Sequence, residues 1–265
     1  MSGLEVDSAL QLLSHGELTV EGRLVDASNA TLFCQIELDG AQARCVYKPV
    51  AGERPLWDFP DGTLASREVA AYLTSEASGW GIVPPTVMRD GPFGPGMCQL
   101  WMDVDPSIQL IDVVAPSRLP AGWLRVLDAL GSGGRPVVLG HADDPRLRRM
   151  AVLDAVMNNA DRKGGHVLPI EDGRVLGVDH GVCFHVESKL RTVLWGWAGE
   201  PLSAEETTVL TRLGEQLDGD LGGRLATLLT RGELRAARRR VDALLAAGRF
   251  GLPVEGWPSI PWPPF

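Results

Sequence analysis

No apolar run in this sequence approaches the roughly 18 residues needed to cross a bilayer, which argues against a transmembrane helix. The start, Met1-Ser2-Gly3-Leu4-Glu5-Val6-Asp7, lacks the basic and apolar segments of a secretory signal. Positive charge is in deficit: 25 Lys and Arg against 34 Asp and Glu leave a net charge of -9. A general nucleic-acid or anionic-membrane surface needs clustered cations, so neither partner is expected. Arg235, Arg238, Arg239 and Arg240 do cluster, but on a helix-like stretch that reads as a solvated face. The four cysteines, Cys34, Cys45, Cys98 and Cys183, are widely spaced, with no C-x-x-C pair. That excludes a zinc knuckle and gives no sign of a disulfide framework; three of them sit in apolar runs, as small core residues do. The expectation is a cytoplasmic protein with no stable membrane insertion, and no internal repeat is visible.

What is present is an ordinary globular balance, 45% hydrophobic and 22% charged residues, enough to bury a core. Residues 17–24 and 31–38 alternate polar and apolar, Asp39-Gly40 is a two-residue hairpin signal, and 41–48 follows. These predict an antiparallel meander. Residues 49–61 read as a loop, and 63–77 as a helix with Leu64, Val69, Ala70, Tyr72 and Leu73 on its apolar stripe. Two more strands are expected at 82–88 and 97–102, around turn-forming residues 90–96.

From about residue 104 the texture turns helical, with 131–136 as a mobile loop. Asp144-Pro145 should start a helix that runs to about Asn158, and a hairpin should follow over 167–178. Beyond Ser203 helices dominate, and Thr230-Arg231-Gly232-Glu233 has capping-box spacing. The tail, 257–265, is rich in Pro and Trp. It reads as an extended strap whose rings pack on the domain, with a disordered end as the alternative. The whole predicts an α+β chain: a sheet with one embedded helix over residues 1–103, a mostly helical part over 104–265, and a cleft between them.

Four residues have the order that phosphoryl transfer needs. Lys48 ends a strand in Val46-Tyr47-Lys48-Pro49, where its ammonium would reach the cleft. Glu68 follows twenty residues later inside the helix. Asp161 sits in a loop between a helix and a hairpin, and Asp179 ends the hairpin, followed by His180-Gly181. Two carboxylates so placed can divide the work, one orienting a nucleophile and one holding a hard cation. Arg162 and Lys163 add positive charge where a phosphoryl group would sit, or pair with Asp154 and other loop acids. Asp154, about two helical turns before Asp161, reads as a brace for the loop.

The set resembles the phosphatidylinositol 3-/4-kinase-like superfamily, particularly type II phosphatidylinositol 4-kinases and related actinobacterial kinase-like proteins. The carrying residues are Val46-Tyr47-Lys48-Pro49, Arg67-Glu68-Val69-Ala70-Ala71-Tyr72, Ile82-Val83-Pro84-Pro85-Thr86, Asn159-Ala160-Asp161-Arg162 and Val178-Asp179-His180-Gly181. The resemblance implies a bilobal protein-kinase-like fold that binds ATP with Mg²⁺ or Mn²⁺. It implies that Lys48 contacts the α/β-phosphates, Glu68 orients Lys48, Asp161 is the catalytic acid/base and Asp179 holds the metal. It also implies a hinge whose backbone near Leu100, Trp101 and Met102 faces adenine, and a phosphate-covering turn at Asp26-Ala27-Ser28-Asn29-Ala30, with Ser28 as a contact.

One position departs from the pattern. Five residues after the catalytic aspartate, such kinases place a metal-binding asparagine; here it is His166. Imidazole nitrogen suits Mn²⁺ or Zn²⁺ better than Mg²⁺. His166 therefore coordinates a softer metal, touches phosphate, leaves one metal position empty, or bonds only to backbone. The expected function is an ATP-dependent phosphotransferase acting on a hydroxyl of a protein or soluble small molecule. A nucleotide-binding pseudokinase and a nucleotidyl transfer such as adenylylation are the alternatives.

Overall fold

Asp39 and Gly40 both adopt positive φ, 51° and 82°, the left-handed pair that a type I′ hairpin requires. They join strands β2 (Leu32–Leu38) and β3 (Ala41–Pro49) in the register Leu38 opposite Ala41. The structure is a computed structural model that describes residues 5–24, 29–60, 62–254, 256 and 258–265. With β1 (Glu17–Arg23), β4 (Thr86–Gly91) and β5 (Gly94–Leu100), the hairpin forms an antiparallel sheet in the order β1-β2-β3-β5-β4. The strand expected from residue 82 begins only at Thr86. Ile82 and Val83 instead donate their N–H groups to Ser75 Oγ, and Pro84 and Pro85 have none to give.

Alternation assigns the two faces of this sheet. Cys34, Ile36, Ala43, Cys45, Tyr47 and Cys98 turn to one side and pack with Leu12 and Leu13. Those leucines belong to helix α1 (Val6–His15), which the sequence reading did not include. Val6, Ala9, Leu10 and Leu13 carry its period. All four cysteines are buried and free.

Helix α2 (Leu64–Ser78) crosses the other side, bringing Ala65, Val69, Ala70 and Leu73 into the main core with Met97 of β5. Thr63 Oγ1 caps it by accepting from Ser66 N–H, and Glu53 accepts from the N–H groups of Leu64 and Ala65. Its Arg67 is buried, bonded to Glu233 and to the carbonyl of Cys183. The helix thus serves both halves of the core.

The helical part expected from about residue 104 begins only at Pro145. Strands β6 (Ile111–Val114), β7 (Trp123–Leu130) and β8 (Pro136–Ala142) form a second antiparallel sheet, ordered β6-β8-β7. The expected mobile loop at 131–136 is its hairpin turn, where Gly131 N–H donates to Arg135 O at 2.9 Å. The helical part then begins with α3 (Pro145–Met157), capped by Asp144. A short hairpin, β9 (Val167–Pro169) and β10 (Val175–Gly177), precedes α4 (Ala204–Leu217), α5 (Asp220–Leu225) and α6 (Arg231–Ala247). Capping boxes at Ser203/Glu206 and Thr230/Glu233 start α4 and α6.

The described part of the tail is an extended strap, held by its backbone and by the Phe265 ring, which lies on Gly164. Ser259 O accepts from Thr192 N–H and Pro264 O from Gly164 N–H, while Trp262 is 81% exposed. Trp257 lies outside the described residues. Among the described residues no helix is long and apolar enough to cross a membrane.

Candidate active site

β3 ends at the cleft and delivers Lys48 there, as its Tyr47 neighbour turns to the opposite face. Lys48 Nζ donates to Glu68 Oε1 at 2.6 Å and to Asp179 Oδ1 at 2.8 Å. Burial opposes the lysine's charge, but the carboxylates of Asp179 and Glu68 outweigh it and hold the ammonium well above the usual lysine value. Asp179 responds in the other direction: the Lys48 charge holds its carboxyl well below the ordinary aspartate range. Glu68 is fully buried, and its second oxygen accepts from His180 N–H at 2.8 Å. One carboxylate therefore fixes both the lysine and the loop that carries Asp179.

Asp179 adopts a left-handed backbone, φ 61°, which aspartate tolerates better than bulkier residues. The loop around it is held by Arg162. This guanidinium is completely buried and binds both oxygens of Asp154 through Nε and Nη2, at 2.9 and 3.0 Å. It also donates to Val178 O at 2.9 Å and to His180 Nε2 at 2.7 Å. Arginine has no acceptor, so His180 Nε2 must accept and Nδ1 must carry the proton. That tautomer is neutral, and burial, helped by the Arg162 charge, pushes the His180 pKa well down. The expectation that Arg162 contacts a phosphate is thus corrected: it points into the core, where Asp154 neutralises it. Asp154 braces the loop through this pair and through Asn159 Nδ2 at 3.0 Å.

Asp161 keeps its carboxylate at the cleft. Asn159 Oδ1 accepts from Asp161 N–H at 2.9 Å, and Lys163 Nζ lies 3.2 Å from Asp161 Oδ2. Arg191 Nη2 stands 3.8 Å from Oδ1. Asn159 and Arg191, which contact Asp161, are absent from the sequence-derived set. A cap-like Asn two residues before the aspartate was the legible signal for the first; nothing local marks the second.

His166 lies across from these groups, with Nε2 at 3.5 Å from Asp179 Oδ2 and Nδ1 buried without a hydrogen-bond partner among the described residues. Burial lowers its pKa and Asp179 opposes that. A neutral imidazole beside a carboxylate is a donor set that suits Mn²⁺, and accepts Mg²⁺ less readily. Among the described residues no cluster of three or more His, Cys, Asp or Glu is arranged around a metal position, so phosphate and water oxygens would complete the shell.

Two cavities meet at this cluster. The smaller, about 390 Å³, is lined by Leu24, Thr31, Val46, Gln99, Leu100, Trp101 and Met102 and reaches Lys48, Asp161, Lys163, His166 and Asp179. Within it Leu100 N–H donates to Pro85 O and Trp101 N–H to Arg44 O. Among the described residues, Met102 N–H has no such backbone partner. Ser28 lies outside the described residues. The larger cavity, about 610 Å³, opens on the other side of Lys48 and Asp179, walled by Arg54, Trp57, Phe59, Val182 and Arg191.

No protein-family model matches the chain. It is 24% identical to phosphatidylinositol 4-kinase gamma 3 of Arabidopsis thaliana over 254 residues, 82% of this chain but 42% of that protein. The chain thus spans less than half the length of that plant relative. Among solved structures, the Golgi casein kinase with Mn and ADP bound matches with a TM-score of 0.56 at 13% identity, covering 91% of this chain and 75% of that one. The fold is therefore α+β and kinase-like, and the resemblance to the phosphatidylinositol 3-/4-kinase-like superfamily holds. Protein Rv2133c of Mycobacterium tuberculosis is 51% identical over 268 residues, covering 98% of this chain and 96% of that protein. The chain belongs to the family of Protein Rv2133c.

Proposed function

We propose that the chain is an ATP-dependent phosphotransferase acting on a hydroxyl of a protein or soluble small molecule. The observation that carries this reading is the convergence of Lys48, Glu68, Asp161 and Asp179 where the two cavities meet. Residues 1–103 supply the nucleotide side of the site, and 104–265 supply Asp161, His166 and Asp179. Adenine enters the smaller cavity, with Met102 N–H as its backbone donor and the apolar stems of Val46 and Leu168 against it.

Lys48 leaves its place between the carboxylates far enough to share its charge with the inner phosphates, while Glu68 retains it. Asp161 accepts the acceptor's proton at Oδ, held in place by the Asn159 bond to its N–H. Lys163 and Arg191 orient that carboxylate. Asp179 and His166 would hold a divalent ion, which when bound neutralises phosphate charge. The Golgi casein kinase that shares this fold carries Mn and ADP, which supports that choice of cofactors.

The acceptor belongs in the larger cavity, on the side of Asp161 away from the hinge. Arg54 forms no ion pair among the described residues and Trp57 is 89% exposed, so the wall offers a cation and an aromatic face. The guanidinium suits an acceptor with an anionic group near its hydroxyl, and the indole suits an apolar or planar part of it. The test is incubation of wild type and Asp161→Ala with γ-labelled ATP and Mg²⁺ or Mn²⁺. Label on the protein or on an added acceptor, lost in the variant, supports the reading. Equal labelling in both contradicts it.

His166, where kinases of this plan place asparagine, favours a second reading: a pseudokinase that binds nucleotide to control a partner. Tight, metal-dependent nucleotide binding with no transfer to any acceptor supports that alternative.

A further inference from the structure

The strap 258–265 touches the site at two places. Ser259 O accepts from Thr192 N–H at 3.0 Å and from Trp195 Nε1 at 2.8 Å. Thr192 lies in a parallel bridge beside Arg162, whose own N–H donates to Arg191 O. At the other end, Pro264 O accepts from Gly164 N–H at 2.8 Å, and the Phe265 ring lies on Gly164. A Cβ built at Gly164 would come within 2.2 Å of the ring's Cε1. Beneath the ring is a shallow cavity lined by Val104, Ile108, Val167 and Pro169.

Gly164 opens the turn Gly164–His166, so the strap meets the backbone two residues before His166. The turn contains two consecutive glycines, the residues with most conformational freedom to lose. On its far side, Val178 N–H and Arg162 Nη1 already hold His166 O, at 3.0 and 3.3 Å. On its near side, the strap's hydrogen bond and ring supplement the turn's own bonds, from His166 N–H to Lys163 O at 3.2 Å and from Val167 N–H to Gly164 O.

We propose that Phe265 and Pro264 are positioning residues for His166: the strap clamps the glycine turn and so holds the imidazole against Asp179. This rests on the reading of His166 and Asp179 as the metal side of the site. Releasing the strap loosens the turn, lowers affinity for the metal and its nucleotide, and leaves the fold intact. Altering the strap's end does not open the core, since Phe265 is half-exposed and Trp262 is exposed, and Ile260 is the strap residue that packs against the main core.

The test uses the full chain, with Phe265→Ala, Gly164→Ala and the double variant. The Gly164→Ala methyl takes the space of the ring and displaces it. Two readouts are needed: hydrogen exchange over 162–167 without ligand, and Mn²⁺ affinity by electron paramagnetic resonance, for the ion alone and with ADP. Each single variant should exchange faster over 162–167 and bind Mn²⁺–ADP on the order of tenfold more weakly, as expected when a group supporting a ligand is lost. The double variant should match the single ones, because both remove one contact. Wild-type exchange in Phe265→Ala overturns the proposal, as do independent, additive effects of the two substitutions. If the wild type binds no Mn²⁺–ADP, the metal reading fails, and the exchange readout alone decides whether the strap orders the turn.

Discussion

Lys48 Nζ donates to Asp179 Oδ1 at 2.8 Å, joining the end of β3 to a loop 131 positions further along the chain. The lysine that would neutralise phosphate thus rests on the carboxylate that would hold the metal. Glu68 takes the lysine's other side and, through His180 N–H, the same loop. The three groups form one electrostatic unit, and a change to any of them should be felt by the others.

Glu68→Gln tests that unit. The amide keeps the shape but removes a buried negative charge that holds Lys48. Phosphate transfer from labelled ATP should fall by about a hundredfold, comparable to losing one preorganised charge-stabilising group. Nucleotide affinity, measured by titration calorimetry, should change much less.

Arg162→Met separates bracing from binding. It leaves the Asp154 carboxylate buried and unpaired, so stability in urea unfolding should drop by about 3–5 kcal/mol. Adding Asp154→Leu should restore much of that loss, because no charge is then left alone in the core. A phosphate-contacting arginine would instead leave stability unchanged and weaken nucleotide binding.

His141 sets a pH dependence away from the site. It is buried, its Nδ1 donates to Ala142 O at 2.9 Å and its Nε2 accepts from Gly196 N–H at 3.0 Å. Burial lowers its pKa, so the unfolded chain binds the proton more readily than the folded one. Its contribution is complete above the unfolded value of about 6.5 and is lost as pH falls from there towards the lower folded value. Urea unfolding at pH 7.5, 6.5 and 5.5 should show stability falling with pH, by up to about 1.4 kcal/mol per unit for this residue. His141→Gln should lessen the slope without removing it, since His166 and His180 act in the same direction.

The cluster of Lys48, Glu68, Asp161 and Asp179 was legible because each member has a local marker: Lys48 at a strand end, Glu68 inside a periodic helix, Asp161 and Asp179 at the two edges of a short hairpin. The second sheet was not. β7 buries no residue fully on either face, and β8 buries four in succession, so neither shows the alternation that identifies a half-buried strand. Which of two partners Arg162 takes, phosphate or Asp154, stayed open for a related reason. Sequence shows a cation beside a catalytic aspartate, but burial and the approach of Asp154, His180 and Val178 are tertiary facts. The strap was visible as proline-rich extended chain, yet two of its anchors are the carbonyl oxygens of Ser259 and Pro264, which carry no residue-type signature.

The central claim is that the cleft between Lys48 and the hinge binds ATP through a metal held at Asp179 and His166. It is tested most directly by equilibrium binding of ATP in Mn²⁺, in Mg²⁺ and in EDTA, for wild type, Asp179→Ala and His166→Asn. Wild type should bind best in Mn²⁺, Asp179→Ala should lose the dependence on metal, and His166→Asn should shift the preference towards Mg²⁺. Absence of ATP binding by folded wild-type protein in either metal would contradict the account.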